Sequence, residues 1–158
     1  MESNKSPLLQ LINNVSFFDE FSESEKCELA DKRALVKKYD KKGSTIFSEG
    51  DKGGSALVIL AGEVRIIKSS VPATGEERVS LRSPRDITLA KVGVGSVIGE
   101  VSLLSNKSRT TGVLTAASLV IVLEINRKNL ESFNSSIQSK FYTQFISILI
   151  NRLEVMNE

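Results

Sequence analysis

The stretch GSVIGEVSLLSNKSRTT, residues 95–111, decides how the rest of the sequence is interpreted. Gly99 has no Cβ, so the backbone at that position can come close to a ligand. The residues EVSLL that follow can form one helical turn, whose free N–H groups bind anions well. Arg109 comes nine residues after Glu100, and its guanidinium can hold two phosphate oxygens at once. The pattern predicts a site for a small phosphate-bearing molecule.

Glu100 does not suit an anion site, because a carboxylate repels a phosphate. The conflict disappears if Glu100 accepts a hydrogen bond from a hydroxyl group of the same ligand. A ligand with one phosphate beside a sugar hydroxyl would satisfy both charged residues, and a compact nucleotide has this chemistry. A second interpretation stays open: Gly99 serves a turn, while Glu100 and Arg109 form an internal ion pair that needs no ligand.

Short β-branched segments surround this stretch on both sides, and glycine or other turn residues separate most of them. Many short strands with regular turn signals predict a sandwich or barrel rather than alternating strands and helices. The polar residues 68–86 between two of the segments predict a long hairpin. The predicted strands are 35–36, 45–47, 56–60, 64–67, 87–92, 97–98, 110–115 and 119–125.

Helical patterns flank the strand region. Pro7 precedes apolar residues at helical spacing, and Ser22 with Glu25 forms a capping box for a second helix that ends near residue 33. Asn134 or Ser135 can cap a last helix that reaches about residue 156. This helix carries two apolar stripes, which are Ile137, Phe141, Phe145 and Ile148, and Tyr142, Ile146, Leu149, Leu153 and Met156.

The second stripe has the four-three spacing of a coiled-coil seam. It therefore indicates a surface for a partner helix or for a second copy of the chain. One broad buried face, in which both stripes pack against the strands, is the alternative interpretation.

Composition narrows the possible functions. The chain has 158 residues, a length typical of one domain, and a net charge of +2, so no strong field favours direct nucleic-acid binding. It has no histidine, which removes the usual catalytic triads and the commonest transition-metal ligand, so we expect neither an enzyme nor a metal site. Cys27 is the single cysteine and is interpreted as a small core residue in a reducing compartment. Without a signal peptide or a transmembrane segment, the sequence indicates a cytoplasmic protein.

The chain resembles the cyclic-nucleotide-binding domains of catabolite-activator-type regulators, cyclic-nucleotide-dependent kinases and gated channels. The phosphate cassette of that family reads roughly G-E-[LIV]-x-L, followed after a few residues by P-R-[TSA]-A. Residues 99–103 and the pair Arg109-Thr110 fall at the family's spacing. The block Gly43-x-x-Ile-Phe-x-Glu-Gly-Asp51 and the later Gly62-x-Val64 also match. The resemblance covers about residues 15–150.

The resemblance implies an α+β, mainly β fold: a double-stranded β-helix or jelly-roll barrel with N-terminal helices and a C-terminal lid helix. Residues 1–158 would form a single domain. Within it, residues 1–33 would supply the N-terminal helices, residues 34–125 the barrel with its cassette at 95–111, and residues 126–158 the C-terminal helices.

The resemblance also implies a role for each site residue, with cAMP or cGMP as the ligand and no cofactor. Arg109 would pair with the cyclic phosphate, and the amides of residues 99–102, which include Val101 and Ser102, would line it. Glu100 would accept a hydrogen bond from the ribose 2′-hydroxyl, and Thr110 would donate to phosphate or to a guanine edge. Contacts to the base would come from the last helix, with Leu149 and Arg152 as candidates.

Two residues depart from the family pattern. Ser108 stands where the family usually has proline, and Gly112 follows in a strand where a side chain is more usual. Neither change removes a group that would contact the ligand, so we expect a less preorganised site rather than a lost one.

The function implied is that of a sensor, which transmits nucleotide occupancy through its C-terminal helix to a partner protein or to a second copy. Two alternatives stay open. In the first, the pocket is degenerate and the module only binds proteins; in the second, the same cassette senses another phosphate ligand such as a cyclic dinucleotide. An enzyme on a similar barrel would generally need histidines for its metal, which this chain lacks.

Overall fold

The computed structural model describes residues 6–69 and 86–156. The predicted hairpin at 68–86 therefore falls almost entirely outside the described residues. The five helices of the described part are α1 (Pro7–Asn13), α2 (Glu23–Asp31), α3 (Glu100–Ser105), α4 (Arg127–Glu131) and α5 (Ser135–Met156). The eight strands are β1 (Val36–Tyr39), β2 (Thr45–Phe47), β3 (Ser55–Ala61), β4 (Val64–Ser69), β5 (Asp86–Val92), β6 (Val97–Ile98), β7 (Gly112–Thr115) and β8 (Val120–Asn126).

Local capping signals set the N-terminal helices. Pro7 occupies the first position of α1, and the Ser6 hydroxyl accepts a hydrogen bond from the Leu9 amide at 3.0 Å. The capping box of α2 is present, with Ser22 and Glu25 each accepting a hydrogen bond from the other's amide. The predicted end near residue 33 is too late: α2 stops at Asp31, because a 3-10 turn over Arg33–Leu35 redirects the chain into β1.

The strands form two four-stranded antiparallel sheets, in the orders β1-β8-β3-β6 and β2-β7-β4-β5. Late strands lie between early ones in both sheets, as in a jelly roll. This confirms the predicted fold class. All eight predicted strands are found, with ends displaced by no more than three residues.

Strand β3 is buried on both faces, and its alternate residues serve two cores. Ala56, Val58 and Leu60 pack toward the helices, whereas Leu57 and Ile59 point into the barrel. This division follows from the two-residue period of a strand. The helical side of the core is rich in phenylalanine, and Phe141 contacts the rings of Phe17, Phe18, Phe21, Phe133 and Phe145.

Helix α5 is packed along its N-terminal half and exposed along its C-terminal half. The first predicted stripe is confirmed as the packed face, since Ile137, Phe141 and Phe145 are fully buried. The interpretation of one broad buried face is wrong, because Leu153 is 58% exposed and Met156 is 79% exposed.

Cys27 is exposed, so its interpretation as a core residue is also wrong.

None of the helices within residues 6–69 and 86–156 has the length and apolar character that a membrane crossing requires.

Candidate functional site

The cassette begins where β6 ends, and Gly99 makes the turn into α3. Its φ of 84° lies in the left-handed region, which residues with a side chain rarely adopt. A Cβ at this position would also overlap the Arg109 guanidinium and would lie 2.9 Å from the Ser55 carbonyl oxygen. Both the backbone conformation and the close packing therefore require glycine here.

Arg109 is buried, with only 7% of its surface exposed, although its side chain carries a charge. Its guanidinium lies over the Phe47 ring, 4.0 Å from the centroid, and its Nη2 donates to the Ser55 hydroxyl at 2.9 Å. Burial lowers the pKa of Arg109 below its usual range, and the carboxylates of Glu124 and Asp51 oppose this shift. Its Nε atom has no hydrogen-bond partner among the described residues.

Glu100 is more deeply buried than Arg109, with 1% exposure. Its Oε2 atom pairs with Nη1 of Arg152, which reaches down from α5. Nη2 of Arg152 also donates to the carbonyl of Val97 at 3.0 Å. The internal Glu100–Arg109 ion pair allowed by the sequence is therefore wrong, because Glu100 pairs with a different arginine. Oε1 of Glu100 lacks a hydrogen-bond partner in the part of the chain that the structure describes.

The Ser102 side chain links helix α3 to the turn before β3 through hydrogen bonds. Its hydroxyl accepts a hydrogen bond from the Gly54 amide at 3.0 Å and donates to the Lys107 carbonyl at 2.6 Å. Gly53 packs directly against it, since a Cβ there would overlap the Ser102 hydroxyl. The Ser102 side chain thus has a structural role that the sequence did not indicate.

One cavity of about 240 Å³ unites most of the predicted site. Gly99, Glu100, Val101, Ser102, Arg109, Thr110 and Arg152 line it, together with Phe47, Ile66, Val97, Ile98 and Thr111. Leu149 does not line this cavity, although it was a candidate for the same role as Arg152.

The chemistry of the cavity follows from its apolar wall and from two of its three charged residues, Arg109 and Glu100, since the third, Arg152, is paired with Glu100. Arg109 offers a donor that can take an anion, and Glu100 offers an acceptor that can take a hydroxyl group. Phe47, Ile66 and Ile98 provide apolar surface beside them. The cavity can therefore hold a molecule that combines an anion, a hydroxyl and an apolar face.

Two residues that form a hydrogen-bond chain with Arg109 were not predicted from the sequence. Ser55 begins β3 and Glu124 lies in β8, 69 positions later, and their side chains are joined by a 2.8 Å hydrogen bond. The available signal was Glu124 itself, a charged residue inside the apolar run VIVLEI of a strand.

A sequence model of the cyclic nucleotide-binding domain family matches residues 37–136, which is more than half of the chain. The chain therefore belongs to the cyclic nucleotide-binding domain family. The resemblance inferred from the cassette residues is confirmed.

Individual relatives agree with this assignment. The chain is similar to the cGMP-dependent protein kinase egl-4 of Caenorhabditis elegans, with 27% identity over 134 residues. The aligned region covers 85% of this chain but 16% of the kinase. A solved cyclic nucleotide-binding domain from Methylobacillus flagellatus is 25% identical with a TM-score of 0.68, covering 93% of this chain and 76% of that one. The regulatory domain of Toxoplasma gondii PKA, crystallised with cAMP, shares the fold at a TM-score of 0.62 and 19% identity, covering 87% of this chain and 48% of that one. The chain thus spans less than a fifth of the length of its curated relatives.

Proposed function

We propose that the chain is a regulatory module that binds a cyclic nucleotide, cAMP or cGMP. One observation carries the proposal. Among the described residues, the buried side-chain atoms left without a hydrogen-bond partner are Nε of Arg109 and Oε1 of Glu100, and both residues line the same cavity. Burying an unpaired donor or acceptor is costly, so a ligand that satisfies both would bind favourably.

A cyclic nucleotide has complementary groups for both atoms. Its singly charged phosphate would accept from Arg109, and its ribose 2′-hydroxyl would donate to Glu100. The two groups belong to one rigid, compact ligand, so little conformational entropy is lost on binding. The family membership and the similarity to a cGMP-dependent kinase support this choice of ligand.

Transmission through α5 forms the second part of the proposal. Arg152 connects α5 to the same carboxylate that would accept the ribose hydroxyl. A ligand seated at Glu100 would therefore favour one position of the C-terminal half of α5 over others, provided that it binds that position more tightly. The exposed residues Ile146, Leu153 and Met156 would then present or withhold a surface for a partner protein or for a second copy.

Thermal unfolding with added nucleotides tests the binding step. A ligand at 100 times its Kd stabilises a protein by about 2.7 kcal/mol, which corresponds to a rise in Tm of about 5 to 10 °C for a chain of this size. We expect this shift with cAMP or cGMP and a clearly smaller one with the 2′-deoxy form of the same nucleotide, because Glu100 would lose its donor.

The Glu100→Gln variant sharpens this test, with Glu63→Gln as its matched control on the turn between β3 and β4. Glu100→Gln keeps an acceptor but loses the charge, so it should reduce the difference between the ribose and 2′-deoxy ligands, whereas Glu63→Gln should preserve it. Equal shifts with both ligands in the unmodified protein would contradict the role given to Glu100.

Hydrogen exchange along α5 tests transmission. Bound nucleotide should slow amide exchange in residues 146–156, and Arg152→Gln should weaken that protection while the nucleotide still binds. Unchanged exchange in this segment with saturating nucleotide would refute transmission through α5.

A second candidate function is favoured by the internal contacts of the same two residues. Arg109 bonds to Ser55 and stacks on Phe47, and Glu100 pairs with Arg152. These contacts are those of a module that keeps the fold and acts only through a protein partner. Under this alternative neither cAMP nor cGMP changes the Tm, while stabilisation by a cyclic dinucleotide alone would indicate a sensor of another phosphate ligand.

A further inference from the structure

A chain of two hydrogen bonds runs from Arg109 into the barrel wall. Nη2 of Arg109 donates to the Ser55 hydroxyl at 2.9 Å, and the hydroxyl is 2.8 Å from Oε2 of Glu124. A guanidinium has only donors, so Ser55 must accept from it, and the single hydroxyl proton of Ser55 must go to the Glu124 carboxylate. The direction of both bonds is therefore fixed.

Arg109, Ser55 and Glu124 form a hydrogen-bond relay, and strand pairing fixes the positions of Ser55 and Glu124 within it. Ser55 begins β3, which pairs with β8 in a register that sets Leu57 opposite Glu124. Glu124 lies two positions from Val122, a residue of the barrel interior, and therefore shares its face of β8. Ser55 itself is 8% exposed. The relay is thus built on two central strands rather than on mobile loops.

Arg109 lines two cavities, and Ser55 and Glu124 line the second of them. Glu100 lines the candidate ligand cavity, whereas Ser55, Glu124 and Asp51 line a cavity of about 270 Å³. A buried guanidinium that borders two cavities needs something to hold its orientation, because its long side chain otherwise has several rotamers.

We propose that Ser55 and Glu124 are positioning residues for Arg109, which fix the orientation of its guanidinium and balance its charge within the protein. The anion-binding consequence rests on the proposed function, but the positioning itself does not. Burial disfavours the charged form of Arg109, and Glu124 opposes this effect on its pKa. Ser55 lies between the two and is hydrogen-bonded to both.

The relay predicts different effects for its two members. Ser55→Ala removes the acceptor for Nη2 and should weaken cyclic-nucleotide affinity about tenfold, while Ser55→Thr, which keeps the hydroxyl, should recover most of it. Glu124→Gln keeps an acceptor for the Ser55 proton but removes the counter-charge. This variant should therefore unfold more easily without nucleotide, and added nucleotide should stabilise it more than the unmodified protein, because the phosphate replaces the lost charge.

The side-chain Nε–H signal of Arg109 in nuclear magnetic resonance tests the positioning without any nucleotide. The signal is assigned by its loss in Arg109→Lys. Ser55→Ala should shift it toward the value of a free arginine and accelerate its exchange with water at least about tenfold, while Ser55→Thr and the control Glu63→Gln should leave it unchanged. Glu124→Gln should shift it by a smaller amount, and it provides the readout if Ser55→Ala does not fold.

The outcomes of this experiment separate the two proposals. A signal that neither Ser55→Ala nor Glu124→Gln alters overturns the positioning role, whatever the nucleotide does. A signal that changes as expected, in a protein whose Tm no nucleotide affects, supports the positioning role and overturns the proposed function.

Discussion

Glu25 should supply a pH-dependent part of the stability that holds α5 in place. Its Oε1 atom accepts from the Ser22 amide at 2.8 Å and pairs with Lys140 Nζ at 2.5 Å, while Oε2 accepts from the Ser136 hydroxyl at 2.8 Å. Lys140 and Ser136 belong to α5, so one buried carboxylate joins the N-terminal helices to the C-terminal helix. The substitution Glu25→Gln removes the charge of this carboxylate.

The magnitude follows from the pKa of Glu25, which falls from 4.5 to about 2, chiefly because of the Lys140 hydrogen bond and then the Ser22 amide. At about 1.4 kcal/mol for each pH unit, this corresponds to about 3 kcal/mol. The Lys140 side chain is 30% exposed, so solvent screening reduces the expected value to about 2 kcal/mol. A carboxyl with a lowered folded-state pKa stabilises the protein above pH 4.5, and this stabilisation disappears as the pH falls toward 2.

Urea denaturation followed by circular dichroism measures this effect. Glu25→Gln should lower the free energy of unfolding by about 2 kcal/mol at pH 7, and the difference from the unmodified protein should shrink steadily between pH 4.5 and the acid limit of the folded state. Glu23→Gln is the matched control, since Glu23 lies exposed in the same first turn of α2 and should cost less than about 1 kcal/mol. Equal costs for the two variants, or a Glu25→Gln cost that is the same at pH 7 and at pH 3, would refute the reasoning.

Three further substitutions test the packing around the site. Phe141→Ala should lower the free energy of unfolding in urea by about 3 to 5 kcal/mol, because Phe141 is fully buried among five other aromatic rings; a loss below about 1 kcal/mol would contradict its central place. Gly53→Ala should cost about 1 to 3 kcal/mol in the same assay, since the new Cβ would displace Ser102; an unchanged urea midpoint would show that the turn can yield. Gly99→Ala would place a side chain on a left-handed backbone, which costs about 1 to 2 kcal/mol, and the new Cβ would overlap Arg109. Calorimetry should therefore show a loss of nucleotide affinity, and unaltered affinity would be inconsistent with the cassette geometry.

Features encoded by neighbouring residues were predictable from the sequence. The Pro7 start of α1, the Ser22–Glu25 capping box and the strand segments all depend on residues within a few positions of one another. Asn134 likewise caps α5, accepting from the Ile137 amide at 2.9 Å. Local backbone preferences and side-chain periodicity are sufficient for such features.

Features that depend on distant pairings were not predictable in this way. Arg152 lies 52 residues from Glu100, and only the packing of α5 against the barrel brings the two together. Ser55 and Glu124 meet because β3 pairs with β8 in one register, which no local signal specifies. The cassette motif thus predicted residues that line one cavity, but the partners of Glu100 and Arg109 came from the tertiary structure.

A calorimetric titration with cAMP and with cGMP tests the central claim most directly, using the unmodified chain, Arg109→Gln and the control Arg65→Gln. Arg65 is an arginine of β4 whose guanidinium bonds to Thr88 at the surface. We expect that at least one nucleotide binds, that Arg65→Gln binds it equally well, and that Arg109→Gln loses at least about 100-fold in affinity because it lacks the charge-assisted contact to phosphate. Absence of binding to the unmodified chain at millimolar nucleotide, or equal binding by Arg109→Gln, would contradict the claim.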